Sequence, residues 1–201
     1  MSCIELSIIV PTFKEVDNVR PLLDALDAAL PGVAFETIFV DDDSPDGTAA
    51  RVKQLAQSRP HVRCLHRIGR RGLSSAAVEG ILSSSAPFVA VIDGDMQHDE
   101  RILPQMLDLL RRDQADLVVG SRYADGGSLG DWTKSRAVMS NIAGRLSRTI
   151  LKGRDLKDPM SGFFMTHRPL FDQAVPQLPP SASHRRCSAM ITPGGSPPAP
   201  A

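Results

Sequence analysis

The chain has 201 residues, enough for one domain with a substantial core, and its 23 acidic and 23 basic side chains cancel. That balance gives no electrostatic argument for a nucleic-acid partner. Cys3, Cys64 and Cys187 are odd in number and widely scattered, a pattern that suits a reducing compartment and argues against a disulfide framework or a zinc site.

In chain order, apolar runs alternate with amphipathic stretches. Residues 6–10 form a short apolar run expected to be the first strand, closed by Pro11 and Thr12. Its early end at Pro11 and the lack of a basic start exclude a signal peptide. A helix is expected over 18–30, with Val19, Leu22, Leu23, Leu26 and Leu30 at helical spacing. Residues 35–40 read as the second strand and empty into the acids Asp41, Asp42 and Asp43. A helix over 48–57 carries Val52, Leu55 and Ala56 inward, a weak third strand covers 62–65, and a small-residue helix covers 72–85. Then come a strand over 87–92, a helix over 102–111 and a strand over 117–119. The alternation of strands and helices predicts a doubly wound, mostly parallel sheet with helices on both faces.

The stretch from Val89 through His98 is the focus of the chain. Its continuous apolar run reads as a strand buried on both faces at the centre of a parallel sheet. Asp93 and Asp95 fall at its carboxyl end, where open α/β sheets bind ligands. With Gly94 to ease a turn, both carboxylates can reach one hard divalent cation. An isolated D-x-D is more often a turn capping the next helix, but the strand before it favours the ligand site. His98 is expected to support the aspartates from behind.

After Ser121 the rhythm breaks. Residues 123–134 are rich in Gly and Asp and read as a functional loop. A helix is expected over 135–151, with Val138, Ile142, Leu146 and Ile150 on one face and Arg145, Arg148 and Lys152 on another. That basic face suits either plain solvent or an anionic membrane surface. A turn over 158–165 leads into a last strand and a short helix over 169–175. From Pro176 prolines, serines and alanines dominate, so 176–201 is expected to be a disordered tail, compatible with a truncated or frame-shifted coding sequence, behind a domain of residues 1–175. No window approaches 18 apolar residues, which argues against a membrane span. P-loop, dinucleotide-binding, nucleophile-elbow and H-E-x-x-H motifs are absent.

Four segments at strand ends carry a resemblance: Pro11-Thr12-Phe13-Lys14-Glu15, residues 40–48, Asp93-Gly94-Asp95-Met96-Gln97-His98 and Gly120-Ser121-Arg122-Tyr123. In this order they resemble the family 2 glycosyltransferases, and more narrowly those that transfer mannose to dolichyl or polyprenyl phosphate. The resemblance spans about residues 5–175. It implies a GT-A fold, a Rossmann-like α/β domain, and an inverting transfer of mannose from GDP-mannose to a polyprenyl phosphate. A UDP-sugar donor and an inactive nucleotide-binding fragment stay open as alternatives.

The resemblance also implies residue roles. Pro11, Phe13 and Glu15 would line the nucleoside pocket, with Phe13 standing where the family usually has Tyr. Val40 and Asp42 would contact base and ribose, and Ile92 would join the donor site. Asp93, Asp95 and Gln97 would hold a magnesium or manganese ion on the diphosphate. Arg122 and Arg136 would face phosphate charge. Asp43 departs from the family, which often has Gly there. The expected setting is the cytoplasmic face of a membrane, bound peripherally.

Overall fold

The computed structural model describes residues 3–120 and 162–177. Six strands form one sheet: β1 (Leu6–Thr12), β2 (Phe35–Asp41), β3 (Val62–His66), β4 (Phe88–Val91), β5 (Leu117–Val119) and β6 (Phe164–His167), in spatial order β3-β2-β1-β4-β6-β5. β1 pairs in parallel with β2 and β4, and β2 with β3. β6 runs antiparallel and lies between β4 and β5. The mostly parallel α/β sheet expected from the sequence is therefore present, with one reversed strand that returns from late in the chain to its interior.

The helices are α1 (Val19–Ala29), α2 (Thr48–Ala56), α3 (Leu73–Leu82), α4 (Leu103–Arg111) and α5 (Arg168–Ala174). Alternation along β1 explains their placement. Leu6, Ile8 and Val10 point into a core built with Leu22, Leu26, Val52 and Leu107 of α1, α2 and α4. Ile9 points the other way, into a core shared with Ala76, Ala77 and Ile81 of α3 and Phe171 of α5. Each strand thus divides its apolar residues between two helical layers. On the α3 side the approach is close: a Cβ at Gly80 would lie 2.3 Å from Ile9 Cγ2 and 2.8 Å from Val40 Cγ2.

The first strand is longer than expected, because Pro11 and Thr12 continue it in register with Val40 and Asp41. The Thr12 carbonyl accepts the Asp42 N–H on the β2 side, while the Ile9 carbonyl accepts the Ile92 N–H on the β4 side. Odd positions therefore face β4, and that ladder ends at Ile9 and Val91. Pro11 lacks an N–H only where no strand asks for one. Arg168 fixes α5 against the end of α3, its Nη1 donating to the carbonyls of Ile81 (2.9 Å) and Ser84 (2.5 Å). The last described element is a single 3₁₀ turn, Val175–Gln177, two residues past the expected boundary. The expected loop over 123–134, the helix over 135–151, Arg122, Arg136 and nearly all of the tail lie outside the described residues.

Candidate functional site

The carboxyl ends of β1, β2 and β4 open onto a cavity of about 350 Å³. β1 contributes Pro11, Thr12 and Phe13, followed by Glu15; β4 contributes Asp93, Gly94 and Asp95; Asp42, Arg71, Gly72 and Leu73 close the remaining side. Six residues expected at the site, Pro11, Phe13, Glu15, Asp42, Asp93 and Asp95, are thus brought together. Three others stand elsewhere. The side chains of Val40 and Ile92 are fully buried in the two apolar cores, because each continues the inward alternation of its strand. Gln97 is exposed and outside the lining, with its backbone N–H donating to Asp95 Oδ1 at 3.2 Å.

The backbone around the cavity is strained. Lys14, Asp43 and Met96 follow β1, β2 and β4, and all have positive φ (63°, 56° and 58°). Such non-glycine geometry costs energy and gathers at functional sites. Gly94 was expected to make the turn between the aspartates, yet the left-handed residue is Met96. Gly94 instead permits close packing, since a Cβ there would sit 3.1 Å from Thr12 Cγ2.

The three consecutive acids after β2 face different partners. Asp41 accepts the Ser44 N–H (3.0 Å) and hydroxyl (2.6 Å), shaping the turn. Asp42 accepts Arg67 Nη1 on Oδ1 (2.5 Å) and the Gly72 N–H on Oδ2 (2.6 Å). Asp43 takes the Gly69 N–H (3.1 Å) and approaches His66 Nε2 (3.0 Å). Together they tie β2 to the segment between β3 and α3. Burial pushes the Asp42 carboxyl above its usual range despite the opposing Gly72 N–H and Arg67 charge. The Gly69 N–H, with His66, holds Asp43 below it. Arg67 itself is fully buried, with Nη2 on Ser75 Oγ (2.5 Å) and Nε 3.4 Å from Glu79.

Asp93 is arranged differently. Its Oδ2 lies 3.4 Å from His98 Nε2, and the His98 ring packs against Phe163 (centroids 5.3 Å apart). Its Oδ1 is buried without a hydrogen-bond partner. Gly162 presses against this carboxylate, and a Cβ there would come within 2.4 Å of Oδ2. A buried carboxylate oxygen left unpaired is costly, and a bound cation would relieve that cost. Glu15 adds to the negative field: burial, together with the charges of Asp95, Asp46 and Asp93, raises its pKa against the opposing Asn18 hydrogen bond.

The donor set is entirely hard oxygen, which fits magnesium or manganese. Among the described residues no group of three or more His, Cys, Asp or Glu side chains stands at ligand spacing. A cation here would take the two aspartates and complete its shell from ligand and water, as magnesium commonly does with phosphates.

Sequence reasoning missed Arg67, Arg71 and Gly162. The two arginines sit in Arg67-Ile68-Gly69-Arg70-Arg71-Gly72, a basic cluster between a weak strand and a helix, whose position beside the acids after β2 was the available signal. Gly162 lies far along the chain and reaches Asp93 through the insertion of β6.

Comparison with known proteins matches residues 7–174 to glycosyl transferase family 2. The chain is 37% identical over 161 residues to a dolichol-phosphate mannosyltransferase of Pyrococcus furiosus, covering 80% of this chain and 45% of that protein. It is 36% identical over 178 residues to the Saccharomyces cerevisiae dolichol-phosphate mannosyltransferase (87% and 65%) and 35% over 158 residues to a Micrococcus luteus undecaprenyl-phosphate mannosyltransferase (77% and 63%). The chain thus spans about half to two thirds of these curated relatives. Among solved structures it resembles a Pyrobaculum calidifontis mannosyltransferase in complex with GDP-Man and Mn²⁺ (TM-score 0.57, 19% identity, 84% of this chain and 46% of that one). It also resembles glucosyl-3-phosphoglycerate synthase of Mycobacterium tuberculosis (TM-score 0.57, 20% identity, 83% and 58%). At such identities the likeness speaks for the fold alone.

Proposed function

The chain belongs to glycosyl transferase family 2, and from that premise we propose that it transfers mannose from GDP-mannose to a polyprenyl phosphate with inversion at the sugar. The observation that carries this reading is the buried, unpartnered Oδ1 of Asp93 beside Asp95, in a cavity whose other side holds Phe13 and Arg71. One end suits a cation-bound diphosphate, the other a nucleoside. The mannosyl and polyprenyl-phosphate assignments draw on the names of the curated relatives, and GDP-mannose with manganese on the Pyrobaculum complex.

A divalent cation bound here would act as a Lewis acid on the departing nucleoside diphosphate. The protein's own part is to hold Asp93 and Asp95 in place: His98 and Phe163 support the first, and the Gln97 N–H orients the second. The Asp42–Arg67 pair anchors the segment that brings Arg71 and Gly72 to the cavity. The acceptor phosphate has a second pKa near ~6 and is already largely anionic at neutral pH, so no general base is assigned. Catalysis then rests on positioning and electrostatics. Arg122 and Arg136 are proposed phosphate contacts, and residues 1–175 the catalytic domain.

Among the described residues no helix is long and apolar enough to cross a membrane. We place the enzyme peripherally at the cytoplasmic face of a membrane, where a lipid phosphate presents its head group. The test is transfer of radiolabelled mannose from GDP-mannose to polyprenyl phosphate with manganese. Labelled lipid is expected; labelled lipid from UDP-glucose alone would move the assignment to a UDP-sugar enzyme.

A further inference from the structure

Three arginines crowd into five positions before α3, and their surroundings differ sharply. Arg67 is buried and committed to Asp42 and Ser75. Arg70 is committed to Glu79 through two parallel hydrogen bonds (2.9 and 2.6 Å). Arg71 has no carboxylate at ion-pair distance among the described residues. It lies over the Phe13 ring, 4.3 Å from the guanidinium carbon to the centroid, at the wall of the cavity.

Stacking holds a guanidinium by its face and leaves its in-plane N–H donors unused. Arg71 is therefore a positioned fork of donors at the edge of the site. Arg71 directly precedes Gly72, whose N–H donates to Asp42 just after β2 (2.6 Å). The fork thus belongs to the β2 side of the cavity, where Asp42, Arg71 and Gly72 stand together.

A planar fork that only donates is selective among nucleobases. Guanine offers O6 and N7 as two adjacent acceptors and takes arginine bidentately. Adenine places an amino donor beside N7, where it opposes the fork. Uracil lacks the N7 partner. We propose that Arg71, laid over Phe13, reads the O6/N7 edge of a guanine and makes the site selective for guanosine diphosphate donors. This rests on the reading of the cavity as a nucleotide-sugar site.

The test is calorimetry of the full chain with manganese and four nucleoside diphosphates, comparing wild type with Arg71→Leu and Arg71→Lys. Inosine diphosphate keeps O6 and N7 but lacks the guanine amino group. Arg71→Leu is expected to weaken GDP and IDP alike, by about tenfold to a hundredfold, and to leave UDP and ADP within about twofold. Arg71→Lys, which keeps the charge and loses the fork, should recover only part of the loss. Arg71 is exposed, so thermal unfolding of both variants should match wild type. An equal loss for all four nucleotides would place Arg71 on phosphate and overturn the inference, as would an unchanged GDP-to-UDP ratio. In either case tight manganese-dependent GDP binding by wild type would leave the donor site standing; no binding of any nucleotide would remove both.

Discussion

Two carboxylates at opposite ends of the sheet, one buried and one half-buried, show what separates an acid committed to structure from one left incompletely paired. Glu36, at the amino end of β2, is 3% exposed, and both its oxygens are bonded: Oε1 accepts the Ser7 hydroxyl at 2.7 Å and Oε2 accepts Arg63 at 2.8 Å. Asp93, past the carboxyl end of β4, has one oxygen beside His98 and one with no partner. The amino end is closed by further pairs such as Arg111 with Glu5 (2.7 and 2.6 Å). The carboxyl end instead collects three left-handed non-glycine residues and an excess of acids. Strain and incomplete pairing at one end persist because the other end and the two apolar layers hold the sheet.

That contrast can be broken first at its sharpest point. Asp93→Asn removes the charge of a carboxylate whose Oδ1 this structure leaves without a partner. The proposed mannosyl transfer is expected to fall on the order of a thousandfold, about 4 kcal/mol in the barrier, while the melting temperature holds or rises. A large loss of stability would mean that Asp93 is structural after all. The next effect is on folding: Asp42→Ala takes from the buried Arg67 its hydrogen-bonded carboxylate, leaving Glu79 at 3.4 Å, and should cost about 3 kcal/mol in urea unfolding. Pairing it with Arg67→Met should recover most of that loss. Glu36→Ala is the control at the amino end. It leaves the buried Ser7 hydroxyl without its acceptor, for a cost of about 2 kcal/mol, and nucleotide affinity should not change.

The contrast also explains what could be read from the sequence. The apolar run over 89–92 ending in Asp93 and Asp95 carried both the strand and two carboxylates of the candidate site, because burial on two faces and a strand-end acid pair are local signals. The helices were legible by periodicity, as Leu22, Leu23 and Leu26 of α1 illustrate. Strand alternation could also have shown that Val40 and Ile92 point into the cores. Long-range features were not legible. Nothing in Phe164–His167 says that it runs antiparallel between β4 and β5, and so nothing announced that Gly162 would meet Asp93. Asp42 lines the cavity, but nothing near it in the chain announced the buried Arg67 that engages it from 25 residues away. An arginine committed to the interior and one held open over a ring look alike in sequence.

The smallest predicted effect concerns pH. The Glu15 carboxyl titrates above its usual value of 4.5 in the folded protein, because burial and then the neighbouring acids oppose its charge. Between 4.5 and that raised value the folded chain holds a proton that the unfolded chain has released. Stability linked to Glu15 is therefore fully present below pH 4.5 and is lost as pH rises through the folded value. Glu15→Gln keeps the shape and removes the titration, so the difference in unfolding free energy between wild type and variant should drift with pH in that window and level off above it. Asp93 and Asp95 supply part of the opposing field, and a cation on them would weaken it. Repeating the urea series with millimolar magnesium should therefore shrink the drift. A drift indifferent to magnesium would leave burial as its cause and count against a cation between the two aspartates.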